Sequence, residues 1–150
     1  MSKSPGTSNK QSNELRILSN KLNLEIDKND NIHLYSYIAD WLGIPHKLGS
    51  CTKEAIDCSC FIMLLYKNIY NKSIPRTAME MYKACSLVDL DKLEEGNLVF
   101  FKIKSNKVSH VGIYLKKGWF AHVSTSRGVM INSLDEAYYK QYFIGGGQPN

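Results

Sequence analysis

The chain has 150 residues, 43% hydrophobic, 22% charged and 11% aromatic, enough for one domain with a real core and too few for two of ordinary size. Its net charge of +5 and pI near 9.0 suit an anionic partner, yet the lysines and arginines are scattered rather than massed, which argues against nucleic acid. No apolar run approaches the roughly 20 residues of a membrane span, so no integral membrane segment is expected.

Met1 to Asn13 is rich in Ser, Lys, Asn and Gly and reads as a flexible polar leader, with a single domain over residues 14–150. The leader lacks the pattern of a secretory signal, which leaves open an internal location, a removed leader or another export route. Leu15, Leu18, Leu22 and Leu24 predict a short amphipathic helix. After a polar interval from Asp27 to Asn31, Ile32, Tyr35, Ile38, Ala39 and Leu42 share a face at the 3.6-residue period and predict a second. Asp30 or Asn31 can cap it, and Gly43 with Pro45 ends it.

From Pro45 to Ile56 the composition turns to Gly, Ser, Thr and Lys, as in an ordered loop forming one lip of a cleft. The run from Cys58 to about Tyr70 is the most apolar predicted helix and belongs at the centre. Asn71 to Arg76 is a loop, and Thr77 caps a short helix containing Met79, Met81 and Tyr82. Beyond Asn97 the period changes to two. Leu98 to Phe101, Val108 to Leu115, Trp119 to Ser124, Val129 to Asn132 and Tyr142 to Gly145 read as strands joined by short hairpin connections. Helices in the first half and antiparallel strands in the second make the fold class α+β.

The chemistry centres on Ile56-Asp57-Cys58-Ser59-Cys60-Phe61, which sets a thiol where a polar loop becomes a helix. Unpaired N–H groups and the positive end of the helix dipole favour a Cys58 thiolate there. His110 and His122 each lie in an alternating apolar segment. A hairpin centred near Lys117 would bring their imidazoles within hydrogen-bond reach, giving a nucleophile (Cys58), a base (His110) and an orienting group (His122). Taken singly, each histidine reads as a core or surface residue. Of the four cysteines, Cys58 and Cys60 point to nearly opposite sides of one helix and should not pair with each other. A Cys51–Cys85 bridge stays open, against free or buried thiols.

Five blocks carry a resemblance: Asp57-Cys58-Ser59, Ile74-Pro75-Arg76-Thr77, Glu95 to Phe101, Ser109 to Tyr114, and Phe120-Ala121-His122-Val123-Ser124. As a set, and in this order, they resemble the NlpC/P60 cysteine peptidases over about Leu42 to Gly145. The resemblance implies a papain-like α+β domain, with the nucleophile at a helix N-terminus packed on an antiparallel sheet. It also implies a cysteine endopeptidase cutting the peptide stems of bacterial peptidoglycan, commonly between D-γ-glutamyl and a diamino acid, without a cofactor or metal. Carried over by position, Cys58 is the nucleophile, His110 the base and His122 the third polar member. Asp57 and Ser59 match positions that help hold the free amine of the stem, and Arg76 a more structural one. A monomer in the cell envelope, periplasmic or secreted, is expected on this reading.

Two positions depart from the family pattern. Cys60 stands where the family has glycine, and His46 replaces a tyrosine near the substrate, so His46 is a further candidate binding residue. Both departures lie toward the substrate end, which keeps open a non-catalytic wall-binding module of the same fold. The polar start keeps open a wall hydrolase delivered into competitors as a toxin. A zinc site from Cys58, Cys60, His110 and His122 is a third alternative, but Cys-x-Cys at a helix start is poor chelate geometry.

Overall fold

A computed structural model of the chain describes the backbone of residues 5–150 and the side chains of residues 10–150. It divides into two compact units between Asp40 and Trp41. The first unit is built from α1 (Pro5–Leu22) and all but the last residue of α2 (Ile32–Trp41). α1 starts well before Leu15, so residues 5–13, expected as flexible leader, are helical; residues 1–4 lie outside the described residues. Ser, Asn, Gln and Lys each cost only some tenths of a kcal/mol in a helix, and extending a turn already formed needs no new nucleus. Of the two candidate caps of α2, Asn31 accepts from the Leu34 N–H at 3.3 Å.

The second unit contains α3 (Cys58–Tyr70), α4 (Ala78–Lys83), β1 (Cys85–Val88), β2 (Leu98–Phe101), β3 (His110–Lys116), β4 (Trp119–Ser124), β5 (Gly128–Ser133), α5 (Ala137–Tyr142) and β6 (Phe143–Pro149). The strands form one sheet in the order β1-β6-β2-β3-β4-β5, each neighbouring pair antiparallel. α3 packs against β3 and β4. The α+β class is as the sequence predicts. β1 and α5 are additions: a four-residue edge strand and a six-residue helix are too short to display a period.

α3 is specified at both ends. Asp57 is its N-cap, accepting from the Cys60 N–H at 2.8 Å, and Asn71 closes it in the left-handed region (φ 51°) with its N–H on the Tyr66 carbonyl. Between these ends Phe61, Ile62, Leu65 and Tyr66 are buried, which makes α3 the central helix of the unit. The β3–β4 turn is Lys117-Gly118, both with positive φ (50° and 89°), the geometry that matches the right-handed twist of a tight hairpin.

The loop before α3 folds back on itself. Ile56 N–H donates to the Pro45 carbonyl, Lys47 N–H to the Ile56 carbonyl and Asp57 N–H to the Ser50 carbonyl. This return brings Cys51 onto the first turn of α3, where it is bonded to Cys60 with the two Cα atoms 5.7 Å apart, inside the range a disulfide spans. Cys85 is free, so the pairing left open between Cys51 and Cys85 is corrected to Cys51–Cys60. The bridge also withdraws Cys60 from the zinc alternative. Closing a loop with a sequence separation of 9 should contribute about 2–3 kcal/mol. Urea unfolding of Cys51→Ser against wild type is expected to read that loss, and the unfolded, unreduced chain should titrate with the two thiols Cys58 and Cys85 only.

Candidate active site

The site lies where the start of α3 meets β3 and β4. Cys58 is the first residue of α3, half-buried, with its sulfur within reach of the Val111 N–H on β3. Val111 directly follows His110, so the strand that carries the candidate base also holds the thiol. Burial pushes the Cys58 thiol up to about 11; the Val111 N–H pulls the other way, the Asp57 carboxylate adds to the rise, and the Ser59 and Cys58 N–H groups oppose it. Desolvation, the largest of these influences, opposes the thiolate that the helix start favours, and the net direction is upward.

Pairing of β3 with β4 puts Ile113 opposite Ala121 and Tyr114 opposite Phe120. Continuing that register sets Gly112 opposite His122, with His110 one step along on the same face. A Cβ on Gly112 would fall 2.8 Å from the Ala121 carbonyl oxygen and 3.2 Å from the His122 Cβ, so glycine is what lets the strands carrying the imidazoles close up. His110 Nε2 and His122 Nδ1 lie 2.8 Å apart, so this contact occupies Nε2 of His110 and not its Nδ1. Both rings are buried.

Burial, then the neighbouring His122 and His46, hold His110 well below the usual imidazole range. Burial lowers His122 to about 4, against the raising influence of the Asn132 hydrogen bond and the Glu136 carboxylate. Both shifts favour the neutral ring, the form a general base needs. A histidine whose folded value is depressed makes the unfolded state bind more protons between about pH 6.5 and pH 4, so stability is full above that window and falls on acidification. For His122 the loss approaches about 3 kcal/mol. Unfolding midpoints recorded from pH 7 to pH 4 should drop more steeply for wild type than for His122→Gln; equal slopes would contradict the buried neutral ring.

Asp57 and Ser59, expected at the amine of the stem, are joined by Arg76. Asp57 Oδ1 accepts from the Cys60 N–H (2.8 Å), Arg76 Nη1 (3.1 Å) and the Ser59 hydroxyl (3.3 Å), while Oδ2 accepts from Arg76 Nη2 (2.8 Å) and the Gly49 N–H (2.9 Å). These donors fill the roughly four lone-pair sites of a carboxylate. Burial raises the Asp57 carboxyl, but the hydrogen bonds and charge of Arg76 with the Cys60 and Gly49 N–H groups outweigh it, and the net shift is downward. Arg76 Nη1 also donates to the Ser59 hydroxyl at 2.7 Å. His46 is half-buried on the loop, bridged to Ile56, and close enough for its charge to bear on His110.

The structure thus brings Cys58, His110, His122 and His46 to one place and makes Asp57 and Ser59 part of a fixed network beside it. Sequence reasoning missed Asn132, whose Oδ1 lies 2.7 Å from His122 Nε2, and Glu136 beyond it. The available signal was alternation on β5: Met130 pairs with His122, so Asn132, two residues on, is a polar side chain on the same face. A cleft of about 670 Å³ opens beside the two histidines, lined among others by Arg127, Asn132, Glu136 and Tyr138. Among the described residues no group of three or more His, Cys, Asp or Glu is arranged to hold a metal ion.

Comparison with known proteins bears on this geometry. The NlpC/P60 family matches residues 43–148. The chain is 38% identical over 105 residues to the murein DD-endopeptidase MepS/murein LD-carboxypeptidase of Escherichia coli K12, covering 70% of this chain and 55% of that protein. It is 36% identical over 111 residues to the probable endopeptidase NlpC of the same organism, covering 73% and 72% of the two chains. The chain therefore spans about half the length of the first relative and somewhat more of the second. Among solved structures, a NlpC/P60 family protein from Bacillus cereus superposes with a TM-score of 0.70 at 28% identity, covering 77% of this chain and 39% of that one. The fold is the papain-like α+β fold.

Proposed function

The chain belongs to the NlpC/P60 family, and from that premise we propose that it is a cysteine endopeptidase acting on the peptide stems of bacterial peptidoglycan. The observation that carries the reading is the 2.8 Å pairing of His110 Nε2 with His122 Nδ1, on the strand whose next residue holds the Cys58 sulfur. The raised thiol and lowered imidazoles support a neutral resting pair, in which the proton leaves sulfur as the bond forms. His110 Nδ1 takes it while Cys58 Sγ attacks the stem carbonyl. The protonated ring then gives that proton to the departing amine, and a thioester remains. Water, activated by the same nitrogen, hydrolyses the thioester and restores the thiol. The Cys58 N–H at the start of α3 is the proposed oxyanion donor.

Asp57 and Ser59, locked with Arg76, and His46 on the facing loop form the proposed acyl side, while the 670 Å³ cleft receives the leaving side. We propose that it acts as a monomer and without a cofactor. The Cys51–Cys60 bridge supports an oxidising compartment, hence the cell envelope or beyond. The scissile bond we propose is D-γ-glutamyl–diamino acid. The name of the MepS relative favours a second reading, a DD-crosslink.

Digestion of purified peptidoglycan, with fragments identified by mass spectrometry, separates the readings. Monomeric stems cut after the γ-glutamyl residue support the first bond, and crosslinked dimers converted to monomers support the second. Intact wall that nevertheless retains bound, folded protein would replace the enzyme with a wall-binding module.

A further inference from the structure

The hydrogen-bond chain leading away from the thiol continues past His122. His122 Nε2 meets Asn132 Oδ1 at 2.7 Å, and Asn132 Nδ2 lies 3.2 and 3.1 Å from Glu136 Oε1 and Oε2. Glu136 Oε2 also accepts from the Ser133 N–H at 2.6 Å, which fixes the carboxylate in the turn between β5 and α5. Glu136 is exposed, whereas the two rings it reaches through Asn132 are buried.

The direction of each bond follows from what each group can donate. An ionised carboxylate only accepts, so Asn132 must turn its NH₂ toward Glu136 and its Oδ1 toward His122. Oδ1 only accepts, so the hydrogen of His122 is on Nε2 and its Nδ1 is a bare acceptor. His110 must then donate from Nε2, and its Nδ1 is left without hydrogen. With the Asn132 amide turned over, every bond reverses: His122 carries hydrogen on Nδ1, His110 accepts at Nε2, and His110 presents an N–H to the thiol. That second arrangement sets two acceptors, Asn132 Oδ1 and the Glu136 carboxylate, against each other, and it contains no base.

We propose that Glu136 is a positioning residue that, through the Asn132 amide, holds His122 and His110 as Nε2–H tautomers and so keeps His110 Nδ1 bare for the Cys58 proton. The proposal rests on the reading of Cys58 and His110 as nucleophile and base. Glu136 also lines the cleft, so a direct role in gripping substrate is the competing explanation.

The test uses Glu136→Ala and the double variant Asn132→Asp/Glu136→Ala. Alanine releases the amide, and kcat should fall about tenfold with KM held within about twofold. Aspartate at 132 can only accept, whichever way it turns, so the double variant should regain activity to within about threefold of wild type. Loss of a mere turn contact would not be rescued in this way. ¹⁵N spectra of histidine-labelled protein should give Nε2–H tautomers for both rings in wild type and the double variant, with an Nδ1–H population in Glu136→Ala. An Nδ1–H ring in wild type, an unchanged tautomer pattern in Glu136→Ala, absence of rescue, or a loss confined to KM would each overturn the proposal. Because the spectra require no substrate, they judge the tautomer chain even if the protein cuts no wall.

Discussion

Replacing Cys58 with alanine is expected to lower wall hydrolysis by about 10⁴- to 10⁶-fold while leaving the fold in place. In the proposed mechanism its sulfur forms the thioester, and no other cysteine can substitute for it: Cys60 is bonded to Cys51, and Cys85 sits away on β1 at the sheet edge. Stability should change by no more than about 1 kcal/mol, because the helix start is held by the Asp57 cap rather than by the thiol. The measurement is product release from purified peptidoglycan alongside a thermal melt. Undiminished release by a folded Cys58→Ala would remove the nucleophile assignment.

The largest effect on stability is expected from Asp57→Ala, at about 3–5 kcal/mol. Its carboxylate caps α3, pairs with Arg76 and anchors the Gly49 end of the loop, so three elements lose a shared contact at once. The cap alone is worth about 1 kcal/mol, and removing one partner of a buried pair costs about 3–5 kcal/mol. Arg76 is 39% exposed and can turn toward water once unpaired, which pulls the sum toward the lower end. Asp57→Asn keeps the cap and should recover about 1 kcal/mol. The Asp57 carboxyl is lowered in the folded state, so its contribution is present above the ordinary carboxylate range and is lost as pH falls through the folded value. Urea unfolding at neutral pH reads both variants, and a loss under about 1 kcal/mol for alanine would mean that the network is incidental.

What was legible in the sequence is what local pattern dictates. α3 announced itself through an apolar run that begins where a polar loop ends, and the β3–β4 hairpin through alternation on either side of Lys117-Gly118. That hairpin sufficed to place His110 and His122 within reach of each other. The Cys51–Cys60 bond was hidden because it depends on the loop from Pro45 returning to α3, and that return is written in backbone hydrogen bonds that any residue types can make. Asn132 and Glu136 were hidden for a related reason: each is an ordinary polar residue until the register of β5 on β4 sets it behind His122. The upward push on the thiol was hidden as well, because a helix start is visible in sequence, whereas burial is not.

That upward push has a further consequence, for the chemical lifetime of the protein. It lowers the share of Cys58 that is ionised at neutral pH, and both peroxide and disulfide exchange act on the ionised form. Surroundings oxidising enough to keep Cys51 joined to Cys60 would consume an activated thiolate two residues away. On the proposed mechanism Cys58 would survive there, because it becomes reactive only when a substrate carbonyl and the His110 lone pair meet it together.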